Sequence, residues 1–171
     1  EGVTGILETM TFRNVTLRNN AHVRSTKLFA VTGDLLLSGA SILTLDAGAT
    51  VNGDFLVSGN STVNHSQGND NGVSISASRF VLEAGSAIDV SGRGYPGGYQ
   101  YPDPGGGNSR GLTLGSVAGS LTGAGGSYGS LGAGFSGQAA GPAYGSPKQP
   151  RMLGSGGGAW GGYGGNGGGR L

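Results

Sequence analysis

The nine residues Gly-Asp-Leu-Leu-Leu-Ser-Gly-Ala-Ser at 33–41 return as Gly-Asp-Phe-Leu-Val-Ser-Gly-Asn-Ser at 53–61, twenty residues later, with six positions identical. The apolar triplet 35–37 falls on the apolar triplet 55–57. A unit this short cannot bury a core of its own and gains one only by stacking on neighbours like itself. The repeat therefore predicts a solenoid, and its short apolar runs predict one made of strands.

The first half of the chain carries this reading throughout. Runs rich in Val, Leu, Ile, Phe and Thr at 11–17, 28–31, 35–37, 42–45, 55–57, 73–76, 79–82 and 87–90 are separated by Gly, Asn and Asp, the punctuation of strands and turns. No window shows the uninterrupted i, i+3, i+4, i+7 apolar face of a long helix. Strands one coil apart are expected to pair in parallel at about 4.8 Å, with Leu35, Leu37, Phe55, Val57, Phe80 and Leu82 pointing inward as ladders. Leu-Asp-Ala-Gly-Ala-Thr-Val at 45–51 resembles Leu-Glu-Ala-Gly-Ser-Ala-Ile at 82–88 and, more loosely, Leu-Arg-Asn-Asn-Ala-His-Val at 17–23. Each reads as strand, corner and strand, once per coil, and the separations of 28 and 37 residues then imply coils of unequal length. The polar stretch 64–72 reads as a loop bulging from the solenoid.

At residue 92 the composition changes. Of 40 glycines, 10 lie in 1–91 and 30 in 92–171, too many for an ordinary apolar core to offset chain entropy. All six tyrosines and the single tryptophan lie here, at Tyr95, Tyr99, Tyr101, Tyr128, Tyr144, Trp160 and Tyr163, whereas four of five phenylalanines lie in the first half. Tyr and Trp pair an apolar ring with a polar handle and suit half-wet surfaces. They are the candidate ligand-contact residues, and they are expected to pin a semi-ordered insertion or tail to the coil. The expected domains are thus coils at 1–91 and a glycine-rich segment at 92–171.

Charge and motifs argue against most chemistry. The first 91 residues carry five basic and eight acidic groups, the rest five basic and one acidic. The basic residues Arg93, Arg110, Lys148, Arg151 and Arg170 are scattered, so nucleic acid is not the expected partner. With no cysteine there is neither a disulfide framework nor a thiolate metal site. Residues 92–97 fit Gly-x-Gly-x-x-Gly, but Pro96, Gly97, Gly98 and Pro102 forbid the helix a dinucleotide site requires. Residues 111–147 hold no charge yet too few large apolar side chains to cross a bilayer. Asn69-Asp70-Asn71 resembles half a calcium loop without its downstream Glu. His22 and His65 are read as surface residues.

Asp34 and Asp54 would stack on successive coils at a spacing near that of a retaining glycosidase pair. Each sits between Gly and an apolar triplet, where a corner acid accepting backbone N–H bonds is the simpler account. Asn14, Asn60 and Asn64 stand in Asn-x-Ser/Thr sequences, which matter only in a glycosylating host. No catalytic residue, metal ligand or cofactor is expected.

Coils, then Ala-Ile-Asp-Val-Ser-Gly-Arg-Gly-Tyr-Pro-Gly-Gly at 87–98, then the Gly/Tyr/Trp-rich run 154–169, make a chain that resembles large repetitive cell-surface, adhesin-like proteins. In these, right-handed parallel β-helix coils are interrupted by glycine-rich insertions. The resemblance implies an extracellular, adhesive or scaffolding role, and a leader either removed or lying upstream of Glu1, with both ends cut from something larger. The expectation is an all-β, right-handed parallel β-helix with a long irregular glycine-rich segment, serving as a non-catalytic section of a surface protein. Its partners would be other copies of itself, or extracellular carbohydrate or protein. The alternative is a carbohydrate-binding or polysaccharide-degrading β-helix whose aromatics stack on sugars.

Overall fold

The computed structural model describes residues 2–99 and 109–171. Among these there are strands, turns and extended segments but no helix. They form two compact units, Glu1–Ser66 with Asn71–Asp89, and Gln67–Asp70 with Val90–Leu171.

The first unit is a parallel β-solenoid. Its strands are β1 (Thr4–Ile6), β2 (Met10–Phe12), β3 (Val15–Leu17), β4 (His22–Ser25), β5 (Phe29–Val31), β6 (Leu35–Leu37), β7 (Ile42–Leu45), β8 (Ala49–Val57), β9 (Thr62–Asn64), β10 (Ile75–Leu82) and β11 (Ala87–Ile88). One sheet runs β1-β4-β7-β9-β11; the other runs β2-β5-β8-β6-β3, with β10 also on β8. β8 is long enough to serve two faces, its first residues pairing with β5 and its last with β6. The run 11–17 expected as one strand is two, bent at Arg13 and Asn14, whereas 73–76 and 79–82 join in β10 across a bulge at Ser78.

Register fixes the core. Leu17, Leu37, Val57 and Leu82 share one ladder, as do Val15, Leu35, Phe55 and Phe80. Val23, Leu43, Val63 and Ile88 form another. Successive rungs are twenty residues apart until the last step, which is twenty-five. The coils are thus more even than the corner pattern suggested. Residues 17–23 and 82–88 do turn the same corner, but 45–51 turns a different one, from β7 into β8. The solenoid has several corners per coil, and similar sequences occur at two of them.

Leu35, Leu37, Leu43, Leu45, Phe55, Val57 and Val63 are wholly buried, each such side chain contributing about 1.5–3 kcal/mol of hydrophobic stabilisation. Phe80 and Leu82 continue these ladders, with Phe80 meeting Phe55 edge-on at 5.1 Å. They nevertheless stay 37% and 44% exposed because theirs is the outermost rung of β8–β10 pairing. The corner between β6 and β7 places Gly39 and Ala40 in the left-handed region, as the corners at Asn19–Asn20 and Gly59–Asn60 also do.

The stretch 64–72 is the expected loop, between β9 and β10 with Gln67, Asp70 and Asn71 exposed, but it is anchored at its start. Asn64 and His65 are buried, with His65 Nδ1 2.8 Å from the Ser66 carbonyl. Asp46 accepts both the Ser66 N–H (2.8 Å) and its hydroxyl (2.9 Å), and Arg24 closes on the same carboxylate. The polar composition that suggested a loop also supplies buried hydrogen-bonding partners.

Among its described residues the second unit holds a small antiparallel hairpin, β12 (Leu112–Thr113) with β13 (Val117–Ala118), and otherwise turns, isolated bridges and extended glycine-rich segments. Its hydrogen bonds repeat every third residue. In segment 154–159, Gly154 and Gly157 donate to Gly168 and Gly165, and Gly156 and Ala159 donate to Leu112 and Ser109. Gly158 donates to a third neighbour at Ala124. Likewise Gly164 and Gly167 donate to Gly98 and Tyr95, while Tyr95 and Gly98 donate to Gly154 and Gly157. A strand sends its groups to two sides; three neighbours at a period of three is polyproline II geometry, which has no internal hydrogen bonds to compete. Segments can approach this closely only without side chains: a Cβ on Gly158 would collide with the Leu121 carbonyl. The described glycine-rich segments are therefore held together by their own backbone. Its buried apolar side chains are few (Tyr95, Ala124, Leu153 and Ala159), and buried Ser120 and Ser127 bond to glycine backbones.

Candidate functional site

The first candidate lies in the solenoid, where a groove of about 340 Å³ is lined by Asp34, Asp54, Arg79, Glu83, Leu56 and Val81 among others. Asp34 and Asp54 do stack on successive coils, and each is a corner acid. Asn14 Oδ1 accepts the Asp34 N–H at 2.9 Å, and Asp34 Oδ1 accepts the Asp54 N–H at 2.9 Å. The Asp54 carboxylate is held by Arg79, whose Nε lies 3.0 Å from Oδ1 while its Nη2 closes on Oδ2. Hydrogen bonding to Arg79 keeps the Asp54 carboxyl below the usual carboxylate range. Asp34 and Asp54 are thus engaged respectively by a backbone N–H and by Arg79, as a ladder along the coils.

The half-calcium motif is spent on structure. The Asn71 amide donates to the Asp46 carbonyl at 2.9 Å in the first unit, and Asp70 Oδ1 accepts the Tyr95 hydroxyl at 2.6 Å in the second. Among the described residues no group of three or more His, Asp or Glu is placed to hold a metal ion, and no helix is long and apolar enough to cross a membrane. Of the Asn-x-Ser/Thr asparagines, Asn14 serves the ladder above, Asn64 is buried accepting the Thr44 hydroxyl, and Asn60 occupies a left-handed corner.

The aromatic residues divide sharply. Tyr95 is wholly buried, and burial first, then the Asp70 carboxylate, pushes its phenol up to about 12. Tyr128 and Tyr144 meet edge-on at 5.3 Å. The Tyr144 hydroxyl donates to the Leu153 carbonyl and accepts from Ser155, itself 2.9 Å from Thr113. Tyr101 lies outside the described residues. Buried Tyr95 and half-buried Tyr128 and Tyr144 thus make contacts within the unit.

Tyr99, Trp160 and Tyr163 are exposed instead. Segment 154–159 turns back into 164–168 through Trp160-Gly161-Gly162-Tyr163, with Gly161 at φ 65°. Trp160 is 67% and Tyr163 83% exposed. Each is backed by a second ring: Phe135 lies 5.5 Å from Trp160 and Tyr99 lies 4.7 Å from Tyr163. Tyr99 and Tyr163 also form a backbone bridge, and partial desolvation, followed by its phenolic neighbour Tyr163, raises the Tyr99 phenol.

The chain matches no known protein family, curated protein or solved structure. Its function must be argued from these residues.

Sequence reasoning missed two members of the site. Phe135 stood apart from the Tyr/Trp set and supplies the support under Trp160. A second concavity, of about 450 Å³, is lined by Val90, Tyr128, Pro150, Met152, Arg170 and Leu171 with three glycines between. The buried Tyr128 hydroxyl there has no hydrogen-bond partner. No motif announced it, since a third of its lining residues are glycine.

Proposed function

We propose that this chain is a non-catalytic structural and adhesive section of an extracellular surface protein. In this reading the solenoid supplies stiffness and the glycine-rich unit supplies the contact surface. The observation that carries it is the set of four rings around residues 160–163, two of them more than half exposed and each paired with a neighbouring ring. Exposed aromatics clustered on one turn mark an interaction site rather than a folding need. Asp34 and Asp54 support the non-catalytic part, because Asp34 serves a backbone N–H and Asp54 serves Arg79.

The test is retention under flow. Beads carrying the chain would be drawn over surfaces coated with polysaccharide, extracellular-matrix protein or lipid bilayer. The reading expects retention on at least one surface, abolished by Trp160→Ala with Tyr163→Ala, and no cleavage of any coating. Retention that ignores both substitutions, retention on none of the surfaces, or release of sugar or peptide products, rejects it.

A further inference from the structure

We infer that the Trp160/Tyr163 turn binds a neutral pyranose glycan; the inference rests on the adhesive reading above and names its ligand class. Gly161 and Gly162 have nothing within 4 Å of where a Cβ would stand, so no side chain of the turn itself stands between the two rings. Phe135 and Tyr99 stand against Trp160 and Tyr163 at 5.5 and 4.7 Å between ring centroids, which restrains each ring, while Trp160 and Tyr163 remain largely exposed to solvent. Two rigid, amphipathic rings held in advance lose little entropy on binding.

Charge selects among ligands that stack on aromatics. Residues 154–169, which include the turn, contain no charged side chain, nor do 94–99 with Tyr99 or 111–147 with Phe135. A quaternary ammonium or a lysine-rich peptide would find no carboxylate on these segments, and a nucleic acid would find no basic cluster to neutralise its phosphates. A pyranose fits better. Its axial C–H groups form an apolar face for the indole and phenol rings, and its equatorial hydroxyls reach the phenols and the glycine backbone at the rim. A β-linked glucan or chitin chain, with all substituents equatorial, presents such a face on every residue.

The chain reports on this site directly, because Trp160 is its only tryptophan. Titration with cellohexaose and with chitohexaose is expected to give a saturable change in Trp160 fluorescence. Calorimetry is expected to show Trp160→Ala and Tyr163→Ala each weakening association about tenfold or more, as loss of a central aromatic anchor does. Trp160→Phe should retain part of the affinity, and unchanged circular dichroism would show that each variant is folded. Arg110 follows Ser109, whose carbonyl accepts the Ala159 N–H; Arg110→Ala should leave sugar binding unchanged. The inference fails if neither oligosaccharide binds, or if binding ignores both ring substitutions. It also fails if heparin or an oligonucleotide binds through Trp160 while the neutral sugars do not. Failure with the sugars alongside Trp160-dependent bead retention would sink the ligand class and leave the adhesive reading standing.

Discussion

Asp34 accepts the backbone N–H of Asp54 through Oδ1 at 2.9 Å, from one coil to the next. Asn14 makes the same bond one coil earlier, so a column of side-chain acceptors follows one corner of the solenoid. Asp34→Ala removes an acceptor at an exposed site, at an expected cost of about 1 kcal/mol. Asp34→Asn keeps an amide oxygen in the same place and should recover most of it. Urea unfolding of both variants decides the matter; equal losses in the two would mean that charge, not the hydrogen bond, matters at this corner.

That column was legible because 33–41 and 53–61 differ by one whole coil, so equal letters mark equal places in space. The corner at 45–51 was misassigned because Leu-x-Ala-Gly suits any turn that leaves a buried strand through a left-handed glycine, and Gly48 and Gly85 both do this at different corners. The glycine bundle left no trace in hydropathy, since its order comes from backbone groups rather than side chains. The aromatic pairs were hidden for another reason. Tyr99 meets Tyr163 and Phe135 meets Trp160 only once distant segments are laid side by side by those backbone bonds.

Ala40 is the exception in its own column. It sits at φ 56°, between Asn20 at 58° and Asn60 at 60° on the neighbouring coils. An L-residue with a plain Cβ is disfavoured there by about 1–2 kcal/mol, a penalty that Asn lowers and Gly avoids. Ala40→Asn and Ala40→Gly are both expected to raise the unfolding midpoint of the solenoid unit. A fall with both would show that the Ala40 methyl group contributes packing that outweighs its backbone strain.

Tyr95 makes the glycine unit sensitive to alkali. Its phenol lies at about 12 in the folded chain against an ordinary 10, because burial and the Asp70 carboxylate disfavour the phenolate. A group raised on folding contributes stability that is complete below its unfolded value and lost as pH climbs through its folded one. The glycine unit should therefore weaken between about pH 10 and 12. Absorbance of phenolate should show a step near pH 12, and Tyr95→Phe should remove that step and most of the alkaline loss. The same variant should be less stable than the parent at neutral pH, since Asp70 Oδ1 loses its donor. An alkaline loss that survives Tyr95→Phe would assign it to another group.

Gly165 and Gly167 test whether the glycine bundle is packed or merely extended. Neither has the positive φ that favours glycine, so an Ala at either position meets only the question of space. A Cβ on Gly165 would meet nothing within 4 Å, whereas one on Gly167 would strike the Gly154 carbonyl. Gly167 also donates to Tyr95 at 3.0 Å and accepts from Gly94 at 2.7 Å, so the chain cannot yield there without loosening both bonds. Gly167→Ala is expected to destabilise the unit by about 1–3 kcal/mol, as overpacking does. Gly165→Ala should be neutral or stabilising by up to about 1 kcal/mol, because Ala lowers the entropy of the unfolded chain. Gly164 lies three residues before Gly167 and faces the Gly157 carbonyl, while Gly168 lies three after Gly165 and faces open space. The effects should therefore recur with a period of three. Thermal melts of the four alanine variants would reveal that period, and four equal effects would mean that the segments do not pack on one another in the folded protein.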